Sequence, residues 1–365
     1  MIEVLVPGPY ATVQDLGRPG YGHLGVPRSG AADAPSLRLA NRLVGNPEGA
    51  AGIELTFGGA CLRFTSGAWA AVTGAPCPVE LRTAGPPATG LPATGLPDTG
   101  LPDTGLRTGE LPGTGLPSTE LRTGELPSTG FRTGELPSTG LPGGAGREGL
   151  PPGGPGPRTR AVGPYAPVWV PAGGELRVGT PPVGLRTYVA VRGGLDTPLV
   201  MGSRSTDSLS GLGPPPLRPG TVLPVGPTGA LSAINVDAAP PTAAPPEVLR
   251  ILPGPRDDWF VPGALAALCA GPYRVSQDSN RVGVRLEGAR LERVHDGELP
   301  SEGMVAGALQ VPPDGLPIVF LADHPPTGGY PVIAVLVSAD LAGAAQLRPG
   351  DRVRFRLGRG PGASL

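Results

Sequence analysis

Residues 301–337, SEGMVAGALQVPPDGLPIVFLADHPPTGGYPVIAVLV, hold the densest set of side chains able to do chemistry. Glu302 and Asp323 are general acid–base candidates, with Gln310 and Thr327 as neutral hydrogen-bonding groups and His324 beside them. Gly328-Gly329 would let backbone N–H groups approach a developing oxyanion. Each carboxylate alone is more often a cap or turn residue. Their clustering near one polar strand end is what points to a site.

Three other loops carry polar groups at short spacing. QDLGRPG places Asp15 and Arg18 on a glycine-bent backbone. There, either Arg18 binds a carboxylate or phosphate with Asp15 orienting it, or the two brace a turn. GSRSTDS offers Arg204, hydroxyls and backbone N–H groups, which make an anion- or nucleotide-binding nest or a plain polar turn capped by Asp207. QDSNRVGVRLEG sets Asn280 and Arg281 just before a strand, to orient a carbonyl or carboxylate or to knit a structural loop. Arg285 alternates with Val284 and Leu286 and should point off the core.

Much chemistry is excluded. No HExxH, GxSxG, paired-Cys or strand–helix GxGxxG motif occurs, and His23, His295 and His324 lack metal-ligand spacing. All 29 basic residues are Arg. Without Lys there is no P-loop lysine, Schiff base, Ser-Ser-Lys triad or biotinyl-lysine. If ATP or biotin takes part, another polypeptide supplies the Lys-dependent part, or the site uses Arg. A net charge of −1 gives no basic field for nucleic acid and no polybasic membrane patch. Cys61, Cys77 and Cys269 fit buried free thiols of a reducing compartment. The N-terminal MIEVLVPGPYATV does not look like a signal peptide, and apolar runs fall far short of a membrane span, so a soluble cytoplasmic protein is expected.

The elements that must hold these groups are mostly strands. Residues 2–6, 53–57, 60–64 and 69–73 alternate between Gly/Pro turns, and one helix over about 34–44 should start at Asp33 with Pro35 in its first turn. Strands resume at 168–170, 176–178 and 185–191, then at 248–252, 273–275, 282–286 and 352–355. A short helix should follow Pro262, and Ser338 should cap another over 339–347. Residues 91–140 repeat with a period of five (LPATG, LPDTG, LRTGE, LPSTG), and recurring Pro with one Leu per unit cannot build a core. Each LPxTG unit resembles a sortase signal, but tandem and internal copies read as coincidence. The expected domains are therefore a discontinuous β lobe at 1–82 and 162–230, a disordered repeat insertion at 83–161, a linker at 231–246 and a second β lobe at 247–360. LRPGTVLPV and LRPGDRVRF, each preceded by a Gly-Leu strand and a Gly-Gly pair, suggest two lobes of related topology.

Taken together, QDLGRPGYGHLGVPRSGAAD, GSRSTDSLSGLG, DSNRVGVRLEG, the 301–336 segment and LRPGDRVRF resemble one family, in its order. It is the biotin-dependent carboxyltransferase subdomain, also called allophanate hydrolase subunit 2. The resemblance implies a mainly β fold of two β-barrel lobes, the C-terminal one cyclophilin-like, with a few short helices. It also implies an obligate partner similar to allophanate hydrolase subunit 1. Standalone members include the C subunit of the prokaryotic 5-oxoprolinase, which works with A and B subunits and ATP to open 5-oxo-L-proline to glutamate. Fused members move CO2 from carboxybiotin to urea, and another relative binds a kinase-inhibitor protein. The enzymatic members act on planar amides. That suits Asn280, Arg281, Gln310, Thr327, Gly328 and Gly329 as substrate-facing groups, Glu302 and Asp323 as catalytic ones, and Asp15, Arg18 and Arg204 as anion or nucleotide contacts. Two departures stand out: the repeat insertion, and the helix after Asp258-Trp259-Phe260, which begins Val-Pro-Gly without a Ser/Thr cap.

Overall fold

Period-two burial sets the first lobe. In the computed structural model, which describes residues 1–83, 158–241 and 245–358, Ile2 and Val4 are buried while Glu3 and Leu5 beside them are partly exposed. The strands of this lobe are β1 (Ile2–Val6), β2 (Tyr10–Gln14), β3 (Gly52–Thr56), β4 (Ala60–Phe64), β5 (Ala68–Gly74) and β6 (Val79–Thr83). They continue with β7 (Arg158–Val162), β8 (Pro167–Val170), β9 (Glu175–Val178), β10 (Arg186–Val191) and β11 (Val222–Leu223). They form a six-stranded sheet, β11-β1-β4-β9-β6-β7, and a five-stranded sheet, β2-β3-β10-β5-β8. Ile2, Val4, Leu62 and Leu176 of one meet Val13, Ile53, Val72 and Val189 of the other in a single core.

Every residue of β10 is buried. One face meets that core, and the other is covered by α1 (Ala34–Leu43). As the sequence implies, Asp33 caps α1 by accepting the Ser36 N–H at 3.1 Å, and Leu37, Ala40 and Leu43 form its buried face.

The second lobe contains β12 (Val248–Pro253), β13 (Tyr273–Val275), β14 (Gly283–Glu287), β15 (Glu302–Gly303) and β16 (Ala308–Gln310). It also contains β17 (Ile318–Phe320), β18 (Thr327–Gly328), β19 (Val332–Leu336) and β20 (Arg352–Leu357), with helices α2 (Ala264–Ala270) and α3 (Leu341–Ala345). Seven strands close a hydrogen-bonded barrel in the order β12-β19-β16-β17-β14-β13-β20, with β12 and β20 parallel. Leu249, Ile251, Leu286, Leu309, Ile333 and Phe355 share its core. β15 and β18 make a separate two-stranded ribbon at one end. The mainly β, two-lobed expectation thus holds, with the closed barrel in the second lobe and two sheets on one core in the first.

Several local expectations change. β6 and β7 pair from Val79↔Val162 to Thr83↔Arg158, so ordered strand reaches into the 83–161 range expected as a disordered insertion. The remainder of that insertion, with its repeats, lies outside the described residues. Residues 231–241, within the expected 231–246 linker, are irregular and are tied to the first lobe by Arg192 donating to Leu231 O and by the Ala239 N–H on Tyr165 O at 2.8 Å. Ser338 does not cap a helix. It starts a 3-10 turn, Ser338–Asp340, that runs into a shorter α3, while the Asp340 carboxylate is drawn off by Arg250. α2 starts at an uncapped left-handed Gly263, in line with its sequence. The two LRPG segments do share a turn, with Gly220 and Gly350 both at positive φ. Beyond it they diverge, one feeding the edge strand β11 and the other the barrel strand β20. Among the described residues no helix is long and apolar enough to cross a membrane.

Candidate functional site

Residues 15–31 leave the first lobe as a loop with a narrow neck. The Ala31 N–H donates to Asp15 O at 2.9 Å and the Arg18 N–H to Arg28 O at 2.7 Å. The neck closes because Gly17 and Gly30 sit back to back at positive φ; a Cβ on Gly17 would stand 2.4 Å from Arg28 O, and one on Gly30 2.7 Å from Gly17 N. The tip carries a 3-10 turn, Gly22–Leu24, with Leu24 exposed. This loop, the barrel residues 303–306, 321–322, 324 and 326–327, and the start of α3 bound a cleft of about 890 Å³ between the lobes.

The expected anion nest is filled from within. Ser203 Oγ, Ser205 Oγ and the Gly17 N–H donate to Asp15 Oδ1, and the Arg204 N–H donates to Oδ2 at 2.6 Å. The Arg204 side chain pairs with Asp196 at 2.6 Å. Asp15 therefore organises the loop by engaging the Ser203 and Ser205 hydroxyls and the Arg204 N–H, while Arg204 Nε has no partner among the described residues. Asp15 and Arg18 do not pair. Arg18, 1% exposed, donates to the carbonyls of Val200 and Ser205, and its Nη1 has no partner.

Across the lobe boundary lies a buried charge network. Arg281 donates from Nε and Nη2 to the two oxygens of Asp323 at 2.8 and 3.0 Å, from Nη1 to Glu54 Oε1, and from Nη2 to Gly30 O at 2.7 Å. Glu54 Oε1 also takes Arg186 Nε at 3.3 Å. Glu54 Oε2 takes the Ala32 N–H at 3.0 Å and the Tyr188 hydroxyl at 2.8 Å. Asp323 additionally accepts the N–H and Oγ of Ser208 at 3.0 and 2.6 Å. Nearby, Gln346 spans the lobes by donating to Asp33 Oδ2 and accepting the Leu185 and Arg186 N–H groups.

Burial works to raise the Glu54 and Asp323 carboxyls, but the Arg281 charge together with the hydrogen bonds each accepts, and for Glu54 the Arg186 charge, outweighs it, and both sit below their usual range. Burial opposes the Arg281 charge, yet Glu54 and Asp323 reverse that and its pKa is raised. Asp33 goes the other way, raised by burial.

The predicted site residues separate accordingly. Asp323, expected as a catalytic group, is fully buried, and Arg281, expected as a substrate contact, is 3% exposed; the two pair with each other and tie the lobes through Glu54 and Ser208. Asn280 has its Oδ1 accepting the Val282 N–H at 2.8 Å, an Asx turn leading into β14. Glu302 is clamped by Arg256 Nε at 2.9 and 3.2 Å, which holds its carboxyl below the usual value and ties up both its oxygens. Gln310 is buried and donates to Tyr330 O at 3.1 Å. Thr327 lines the cleft, whereas Gly328 pairs with Glu302 in the ribbon and Gly329 O accepts the Leu299 N–H.

His324 joins the site, although the sequence alone does not single it out as catalytic. It lines the cleft, 8% exposed, stacked on Phe320 at 5.9 Å, with Nδ1 2.8 Å from Pro325 O. A carbonyl only accepts, so Nδ1 carries the proton and Nε2 offers a lone pair. Burial lowers its pKa, so the ring is neutral at neutral pH. Glu54 is a second residue that the sequence reading misses. Its signal is a carboxylate set between the apolar Ile53 and Leu55.

Residues 24–93 and 156–357 match the family described as carboxyltransferase domain, subdomain A and B. The chain is 32% identical to the 5-oxoprolinase C subunit of Escherichia coli (strain K12), across 97% of this chain and 90% of that one. It is 30% identical to the urea amidolyase of Lachancea kluyveri, across 97% of this chain but 17% of that protein. The crystal structure of TTHA0988 matches with a TM-score of 0.69 at 32% identity, covering 97% of this chain and 55% of that one. The chain thus spans about half the length of that solved protein.

Proposed function

The chain belongs to the carboxyltransferase domain family, subdomains A and B, and from that membership we propose that it serves as the C subunit of a 5-oxoprolinase. With partner A and B subunits, in the cytoplasm, it would hydrolyse the cyclic amide of 5-oxo-L-proline to L-glutamate at the expense of ATP. One observation carries this choice. The likeness to a 5-oxoprolinase C subunit runs through 97% of this chain and 90% of that one, with little of either left over.

The cleft supplies groups suited to amide chemistry. His324 Nε2, unprotonated at neutral pH, takes a proton from a water attacking the amide carbonyl and returns it to the departing nitrogen. The Thr327 hydroxyl, on the same wall, hydrogen-bonds the amide. Asp323 and Arg281 act as positioning residues, since they fix the backbone next to His324 and the neck of the loop opposite. ATP is assigned to the partner subunits. This chain has no Lys, and the donors of its Ser-rich nest already serve Asp15.

Carboxyl transfer to urea is the other reading, favoured by the likeness to urea amidolyase. It requires a biotinylated lysine, which these 365 residues do not supply. Reconstitution with A and B subunits tests the choice. ATP turnover that depends on 5-oxoproline and on this chain supports the hydrolase. Turnover that depends on urea and a biotinylated partner supports the transferase.

A further inference from the structure

Arg18 is a buried cation without an anion. It is 1% exposed, and among the described residues no carboxylate lies within ion-pair distance. Its hydrogen bonds go to two neutral carbonyls, and Nη1 makes none. An ion removed from water is stable only when its charge is compensated. Ser29, across the neck, repeats the pattern. It is 5% exposed, its Oγ has no partner, and its backbone is held at φ +53, where a non-glycine residue is strained. Both residues border the interlobe cleft. Arg28 and Arg38 border it too, and no Asp or Glu does among the described residues.

We infer that Arg18 and Ser29 form a carboxylate-binding subsite of the cleft, which selects an amide bearing an acid group over a neutral amide. This rests on the amide-hydrolase reading and names what the site recognises. A carboxylate supplies the missing counter-charge to Nη1 and accepts the Ser29 hydroxyl, while the amide part of the same small molecule lies toward His324. Urea and simple lactams have nothing to offer Arg18. Because Nη1 is itself buried, a carboxylate reaches it only when the groups that cover it move aside.

The test uses the reconstituted complex with 5-oxo-L-proline and with 2-pyrrolidinone, the same lactam lacking the carboxylate. Wild type should prefer 5-oxoproline. Arg18→Gln should raise its KM roughly tenfold to hundredfold with a smaller change in kcat, and should erase most of that preference. Arg18→Lys should restore part of it. Because Arg18 is buried, Ser29→Ala and the wild-type preference itself serve as checks that do not depend on the Gln variant folding. A wild-type complex that turns over both lactams equally well, or an unchanged preference in folded Arg18→Gln, overturns the subsite and leaves the hydrolase standing. Calorimetric binding of 5-oxoproline that is lost in Arg18→Gln, without turnover in wild type, keeps the subsite and overturns the hydrolase. No binding of either lactam by the wild-type complex overturns both.

Discussion

Arg281 and Glu54 join the two lobes: a guanidinium from the loop before β14 donates to a carboxylate in the middle of β3, each no more than 3% exposed. The same guanidinium holds Asp323 beside the cleft and Gly30 at the loop neck, while Glu54 holds Ala32. One pair therefore fixes both walls of the cleft. Glu54→Gln or Arg281→Met should each cost about 3–5 kcal/mol, because the partner charge is left buried and unpaired. Chemical denaturation monitored by tryptophan fluorescence would show it. A change within about 0.5 kcal/mol, as for an ordinary surface site, would contradict this role.

Asp323 and His324 are neighbours in sequence with opposite expected behaviour. Asp323→Asn weakens a bidentate pair and two Ser208 bonds, so the melting temperature should fall clearly along with activity. His324→Gln should leave the melting temperature close to wild type and lower kcat about 10²–10⁴-fold, the usual loss for a general base. Paired melting curves and steady-state kinetics separate the two. Activity loss in Asp323→Asn with unchanged melting would return Asp323 to direct catalysis.

Acid should weaken the protein for two reasons of the same sign. His324 has its pKa lowered by burial, so the fold favours the neutral ring. That contribution is complete above the unfolded value of about 6.5 and is lost as pH falls from there toward the lower folded value. Glu54 and Asp323 are lowered by Arg281, and their contribution is present above the unfolded carboxylate values of about 4 and lost as pH falls through the folded ones. The pH profile of kcat/KM should carry an acid limb with its midpoint below about 6.5, absent in His324→Gln. A midpoint above that value would place another group in the role.

Asn280 offers a contrasting control. Its Oδ1 bonds only the Val282 and Gly283 N–H groups, so Asn280→Ala should cost about 1 kcal/mol and leave kcat and KM nearly unchanged. A large rise in KM would restore it as a substrate contact.

Local physics is legible in the sequence and side-chain partnership is not. Asp33, Pro35 and the Leu37/Ala40/Leu43 face specify α1 through rules that act within a few residues, and the β-branched runs specify most strands. Asp323 and Arg281 each stand out in the sequence, but their mutual pairing joins positions 42 residues apart, and the bond to Glu54 spans 227. No spacing rule carries that information. The nest at Ser203–Ser205 is recognisable by its chemistry, yet its occupant, Asp15, lies 188 residues before Ser203. His324 is visible as a residue, but its lowered pKa depends on burial that only the packed fold creates, with Phe320 stacked on the ring.

If this chain provides the cleft in which a 5-oxoprolinase complex handles its substrate, turnover by the complex must depend on it. The most direct measurement is ATP hydrolysis by A and B subunits with 5-oxo-L-proline, with this chain added wild type, added as His324→Gln, or omitted. The expected result is turnover with wild type alone and glutamate formed in step with it. Equal turnover with His324→Gln, or none with wild type while urea and a biotinylated partner support carboxyl transfer, would contradict that role.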